Sequence, residues 1–293
     1  MTQQLIILGD SLMDSGNTAG LLSLIGQNPF EDSKYDGGGN TKASDGPVLG
    51  EWIALEMGAG IDDAQLISVL SPVAPQPVQV HNYAHAGART DAAPGYSLPL
   101  VGQVIGIGLQ EQKEVLLERK PFYLTQTDVD VLLSCGGNDI RDALKSIDAI
   151  QEVISTETLK DDRQLAYDIA KPIAKNLKKT VRHISSFTDE IAIAGPPPLD
   201  NTPETQDWLT NFSTDDQAKA LHVINLIGQK LTHKLEKKYQ DYDNIAVING
   251  EDARDQLTEI SFVDDFHPDT KTSAELATII VEYATAQLAS FGF

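Results

Sequence analysis

Ser11 closes an apolar run in the stretch LIILGDSLMDSGN, which begins at Leu5. A serine hydroxyl is a weak nucleophile. It needs a base to take its proton and a third group to orient that base. His267 can be the base. Asp264 lies three residues earlier in VDDFHPD, so one loop could carry both. A carboxylate at that spacing reaches the ring nitrogen turned away from the serine and fixes the tautomer. Asp265 adjoins Asp264 and competes with it for the histidine. Attack on an acyl carbon leaves a negative oxygen that needs preorganised donors. Three are at hand: the Ser11 backbone amide, the Gly87 amide in HAGART, and the Asn138 side-chain amide in GGNDI. Glycine lets an amide approach such an oxygen closely. Singly, each is an ordinary feature: a polar residue ending a strand, a loop histidine, an Asn-Asp turn. Their joint placement carries the argument.

That placement follows from five short apolar runs bounded by turn residues. They are QLIILG from Gln4, VQVHNYA from Val78, VDVLLSC from Val129, EIAIAG from Glu190 and NIAVIN from Asn244. None alternates cleanly, which suits strands covered on both faces of a parallel sheet. Helical stripes lie between them. One runs Leu165, Ile169, Ile173, Leu177, Val181 and Ile184, with Pro172 inside it as a kink or a true start. Others run from Leu221 to Tyr239, from Leu276 to Leu288, and through PVLGEWIALEM from Pro47. Strands alternating with helices predict right-handed crossovers and a three-layer α/β/α sandwich. In an open parallel sheet, ligands bind beyond the carboxyl ends of the strands. Ser11, Gly87, Asn138 and the Asp264/His267 pair all fall on that rim. Three segments read as loops: residues 31–47, 71–77 and 196–216, the last being long for such a connection.

Composition narrows the partners. The chain has 293 residues, 41% of them hydrophobic, enough for a sizeable core, and no linker divides it, so residues 1–293 read as one domain. A formal net charge of −21 argues against nucleic acid and anionic membranes as partners. The single cysteine, Cys135, allows neither an intrachain disulfide nor a thiolate metal cluster, and reads as a small buried hydrophobe. Six scattered histidines supply no metal site. No apolar run reaches the roughly 18 residues of a membrane span. The N-terminus lacks a basic, cleavable leader pattern, so the sequence as given reads as cytoplasmic.

Four blocks together resemble the GDSL lipase/esterase family, or SGNH hydrolases: ILGDSLMDSGN, NYAHAGA, CGGNDI and VDDFHP. The stretch SDGPVLGEWIALEMG and the turn AGPPPL are similar to the lipase-like branch of that family. The resemblance implies a flavodoxin-like sandwich on five parallel strands, with no cofactor. It implies Ser11 as nucleophile, His267 as base and Asp264 as its partner, with Ser11, Gly87 and Asn138 forming an oxyanion hole. The expected reaction is hydrolysis of a small carboxylic ester through an acyl-enzyme. A carbohydrate O-deacetylase, a lysophospholipase or a thioesterase would share that machinery, because the blocks do not include the substrate pockets.

The residues around the blocks have their own expected places. Asp10 bonds nearby backbone, Asp14 and Asn17 fix the turn into the first helix, and Asp139 orients Asn138 or caps a helix. His85 and Arg89 flank Gly87. Trp208, Leu209 and Phe212 form an apolar wall or simply pack under a long loop. A rival class is a non-enzymatic flavodoxin-like binding module. Against it, the first turn places Asp10 and Asp14 where an anion would sit, with no G-x-G-x-x-G run or Walker lysine. A conventional α/β-hydrolase needs glycine two residues after the serine, and Met13 stands there.

Overall fold

Leu5, Ile6, Ile7 and Leu8 are all fully buried, so the first strand is covered from both sides. Ile6 and Leu8 pack into one core and Leu5 and Ile7 into another, as the two-residue period of a strand requires. The computed structural model describes residues 3–23, 26–59, 78–91, 98–100, 103–105, 108–145, 159–289 and 291. Its main sheet is wholly parallel. It contains β1 (Gln3–Gly9), β2 (Val78–Asn82), β5 (Val129–Ser134), β6 (Glu190–Ala194) and β7 (Ile245–Ile248), in the order β2-β1-β5-β6-β7. All five expected strands are present. A two-stranded antiparallel ribbon, β3 (Leu98–Leu100) with β4 (Gln103–Ile105), stands apart from them.

Helices cover both faces. α3 (Leu109–Glu118), α6 (Leu159–Ile184) and α8 (Thr214–Tyr239) bury Leu116, Leu177, Val181, Ile227 and Leu231 against one face. α2 (Leu49–Glu56) and α10 (Thr270–Gln287) bury Ile53, Leu276 and Ile280 against the other. The result is the expected α/β/α sandwich. Pro172 lies inside α6 and the helix continues through it. Pro172 is exposed, so its missing N–H falls on the solvent side while the apolar stripe stays buried. Shorter helices sit on the rim: α1 (Asn17–Ser23), α5 (Gly137–Lys145), α7 (Pro203–Leu209) and α9 (Gly250–Arg254), with α4 (Lys120–Tyr123) at the other end.

Two expected loops contain regular structure. Residues 31–47 include a 3-10 turn, Ser33–Gly38, capped by the Asp32 carboxylate accepting from the Lys34 amide. Residues 196–216 include α7, whose cap is Thr202 and whose first position is Pro203, a fixed φ that starts a helix at no cost in hydrogen bonds. Residues 71–77 lie outside the described set.

Strand order reverses between β1 and β5, because β2 lies on one side of β1 and the later strands on the other. This switch point opens a crevice at the carboxyl ends of β1 and β5. Gly9 ends β1 there, and a Cβ at Gly9 would lie 2.3 Å from the Ser134 carbonyl oxygen of β5. Only glycine allows the two strand ends to approach so closely.

Asp130 of β5 is a buried acid of this sheet, as is Glu190 of β6. Burial pushes the Asp130 carboxyl up to about 7; the Gln3 amide donating at 2.6 Å opposes the shift, and Glu190, Asp189 and Asp128 reinforce it. A group whose folded pKa is raised favours the fold while protonated. Its contribution is present below the unfolded value of 3.8 and is lost as pH rises through about 7. The thermal midpoint should therefore fall between pH 5 and pH 8. Asp130→Asn, neutral throughout, should flatten that fall. A melting series with the same slope in both proteins would refute the assignment.

Candidate active site

Asp14 organises the turn that carries Ser11. Its carboxylate accepts from the amides of Gly16, Asn17 and Thr18 at 2.9, 2.6 and 3.2 Å, capping α1. It also accepts from the Ala86 amide at 2.8 Å, which ties the turn after β1 to the turn after β2. Asn17 and Asn82 complete the tie. The Asn17 amide donates to the Asn82 and Ala84 carbonyls, and the Asn82 amide donates to the Met13 carbonyl. The Asp10 carboxylate accepts from the Leu12 amide at 3.3 Å. Burial pushes its carboxyl up to about 7 against the Leu12 amide and its own backbone amide, with Asp139 adding to the rise.

His267 bridges the chain's two ends. Its Nε2 lies 2.8 Å from Ser11 Oγ and its Nδ1 lies 2.7 Å from Asp264 Oδ2. Asp264 Oδ1 accepts from the amides of Phe266 and His267 at 2.8 and 2.6 Å. Tyr35 from the 3-10 turn donates its hydroxyl to Oδ2 at 2.7 Å. Burial would raise the Asp264 carboxyl, but the His267 and Tyr35 donors outweigh it and hold the group well below the usual carboxylate range. Asp265 is exposed, and its carbonyl accepts from the Glu204 amide at 2.8 Å. It does not compete for the histidine.

Gly87 adopts φ of 75°, a left-handed conformation that other residues enter with strain. The Asn138 side-chain amide donates one hydrogen to the Ala88 carbonyl at 3.0 Å, and its second N–H remains for another acceptor. Asp139 accepts from the Thr90 amide and hydroxyl at 2.9 and 2.6 Å, fixing the start of α5 to the segment after Gly87. Among the described residues, the amides of Ser11 and Gly87 have no acceptor within the protein. The flanking residues play other parts. Arg89 pairs with Asp91 and Asp142, and burial pushes the His85 ring down. Cys135 is buried, as expected.

Three further residues hold the histidine loop, and sequence reading did not find them. The Arg141 guanidinium lies 4.8 Å over the Phe266 ring, and that ring meets the His267 ring edge-on at 5.3 Å. Glu204 binds Arg141 through two oxygens at 2.6 and 2.9 Å. α5 and α7 thus grip the loop together. Tyr35 was missed for the same reason: no local pattern marks a tyrosine that bonds an acid 229 residues away.

A narrow apolar cleft lies behind this loop, walled by Leu12, Pro197, Leu199, Leu257, Phe266 and Leu276. Phe266 also lines a second hollow, where Trp208 stands with Leu144 and Ile224. Trp208 packs edge-on against Phe212 at 4.9 Å, and Leu209 is buried in the core. Among the described residues, no group of three histidines, cysteines or acids could hold a metal ion, and no helix is long and apolar enough to cross a membrane.

A family model described as GDSL-like Lipase/Acylhydrolase matches residues 5–280. Several solved structures are similar. A lipolytic protein of the G-D-S-L family from Veillonella parvula DSM 2008 has 15% identity and a TM-score of 0.45, over 97% of this chain and 99% of that one. A catalytic mutant of an acetylxylan esterase from Geobacillus stearothermophilus has 13% identity and a TM-score of 0.47, over 97% and 95%. An extracellular lipase from Streptomyces rimosus has 12% identity and a TM-score of 0.45, over 97% and 100%. None of the curated proteins compared matches the chain.

The Tyr35 hydroxyl can be tested without reference to activity. Asp264 has a lowered pKa, so its contribution to stability is present above 3.8 and is lost as pH falls through the folded value. Tyr35→Phe removes a hydrogen bond to a buried charge and should cost about 1.5–3 kcal/mol at pH 7. The deficit should persist from pH 7 down to pH 4, because the folded carboxyl stays ionised over that range. Urea melts in which the deficit has vanished by pH 4 would contradict this account.

Proposed function

The chain belongs to the GDSL-like lipase/acylhydrolase family and is a hydrolase acting on ester bonds, and from that premise we propose that it cleaves small carboxylic esters through an acyl-enzyme on Ser11. The observation that carries this reading is the single imidazole bonded to Ser11 on one nitrogen and to Asp264 on the other. His267 Nε2 takes the Ser11 proton as Oγ attacks the ester carbonyl. Asp264 holds the Nδ1–H and stabilises the imidazolium that forms. The carbonyl oxygen becomes an oxyanion, to which the Ser11 amide, the Gly87 amide and the free Asn138 N–H donate. Collapse expels the alkoxide, which receives its proton from His267. Water then repeats the sequence on the acyl-enzyme, with His267 again as base, and the acid leaves.

The turn geometry supports this division of roles. Asp14 bonds both the Ser11 turn and the Ala86 amide, so two of the three donors share one anchor. Asn138 bonds the Ala88 carbonyl, next to Gly87, which supports its reading as the third donor. The apolar walls next to Leu12 and Phe266 favour an acyl group larger than acetyl, which sets a carboxylesterase or lipase-like reaction ahead of carbohydrate deacetylation.

A fluorophosphonate probe should label the wild-type protein and leave Ser11→Ala unlabelled. Equal labelling of both, or labelling of neither, would sink the nucleophile assignment. Asn138→Ala should lower turnover of a p-nitrophenyl ester by about 10²-fold, the usual loss on removing an oxyanion donor. Unchanged turnover would take Asn138 out of the hole.

A further inference from the structure

Positive charge is scarce in this chain, with 22 lysines and arginines against 43 acids, yet it gathers at one place. α6 and α8 both end there, beside the first residue of β7 and so at the opposite end of the sheet from Ser11. An open cleft of about 1260 Å³ lies between them. Lys175, Lys178, Lys179 and Arg182 line its α6 side, and Lys238 and Tyr242 face them. The spacing i, i+3, i+4, i+7 puts the four α6 cations in one row along the helix.

Among the described residues, no carboxylate lines the cleft and none of the five cations forms an ion pair. Residues 169–188 contain no acid at all. Glu114 of α3 feels Lys179 and His183, but it is paired with Lys113 at 2.9 Å. Glu236 and Asp241, beside Lys238 in sequence, are exposed outside the cleft. The cations crowd one another: burial lowers the Lys178 pKa, and Lys234 and Lys238 lower it further. His183 also lines the cleft, and its Nδ1 is shut off from water without a hydrogen-bond partner.

Helix dipoles do not account for this. Each helix carboxyl end carries about −0.5 charge, so two ends offset only one of the five cations. Lys175 and Lys178 also lie more than a turn from the end of α6, beyond the reach of that effect. An ordinary solvated face would mix signs, as the rest of this acidic chain does.

We propose that the cleft is a binding site for a small polyphosphate anion, with linked phosphates lying along the α6 row and closed over by Lys238. Successive negative groups would meet successive cations, with Arg182 able to hold one phosphate through two donors. Outside the cleft the chain is more acidic still than its net −21, so an extended polyanion is repelled within about a Debye length of the site while a compact one is not. Tyr242 is 46% exposed and carries the Lys238 ammonium 4.9 Å from its ring centre. That ring offers a face to a base if the phosphates belong to a nucleotide.

Calorimetric titration of the intact protein at low ionic strength with inorganic tripolyphosphate, ATP and sulfate tests this. Tripolyphosphate should bind at least about tenfold more tightly than sulfate, and more weakly as salt is raised. The double variant Lys178→Gln/Arg182→Gln should lose at least about tenfold in that affinity, with its melting midpoint and ester hydrolysis close to wild type. Lys271→Gln, a cation at the other end of the molecule that is 68% exposed, should lose nothing. ATP binding as tightly as tripolyphosphate would assign the site to the phosphate chain alone; tighter ATP binding would assign it to a nucleotide. Tripolyphosphate binding no tighter than sulfate, or an equal loss in Lys271→Gln, would overturn the proposal.

Discussion

Asp264 is taken out of water at the carboxyl rim of the sheet, and a buried carboxylate is tolerable only if donors replace its hydration. Four do so: the Tyr35 hydroxyl, the imidazole Nδ1–H and the amides of Phe266 and His267. Three of these lie in its own loop, so satisfying the charge also curls residues 264–267 into one shape. The imidazole's Nδ1 is thereby committed, and only Nε2 is left to face Ser11. Tyr35 reaches the acid because the segment before α2 is bound to the start of α10. Asp45 accepts from the Thr270 amide at 2.8 Å and Trp52 donates to the Thr270 hydroxyl at 3.1 Å. Gly46 leaves room for the Thr270 side chain, since a Cβ there would fall 2.6 Å from the Thr270 hydroxyl.

The opposite side of the loop is held by weaker means. Arg141 and Glu204 are partly exposed, at 34% and 25% for their side chains, so their pairing adds little to stability. Its value is positional. The guanidinium lies over the Phe266 ring while two of its nitrogens are engaged by Glu204, so the pairing holds it in place. A ring fixed from above then fixes its neighbour His267 from the side. The charged carboxylate sets the loop's shape and the stacked ring sets its orientation.

Much of this was legible in the sequence because its signals are local. An apolar run ending in Gly-Asp-Ser marks a strand and its exit, and the Asp264/His267 spacing lies within one loop. The five strands followed from continuous apolar character, and their common rim followed from parallel pairing. Tyr35, Arg141, Glu204 and Phe266 were not legible, because each acts through a partner far off in sequence and none lies in a repeating pattern. α7 is a different case. Thr202, Pro203 and Glu204 form a proper helix start, but the prolines and polar residues around them outweighed a helix of only seven residues.

Asp10 and Asp264 show what decides charge at this rim. Both are aspartates almost closed to solvent, one beside the serine and one beside the histidine. Burial acts on them in the same direction. Asp10 is the more completely buried, is opposed by the Leu12 amide and its own amide, and rises to about 7; Asp264 has the imidazole, the Tyr35 hydroxyl and two amides, and falls below the ordinary range. Depth and the donors aimed at each carboxylate set the outcome together. Negative charge is therefore concentrated on the far side of the imidazole from Ser11 and diminished directly beside Ser11; in the proposed mechanism a cation forms on the ring and an anion beside the serine. The lysine row between α6 and α8 shows the same balance from the other side: among the described residues, no carboxylate lines the space its cations face.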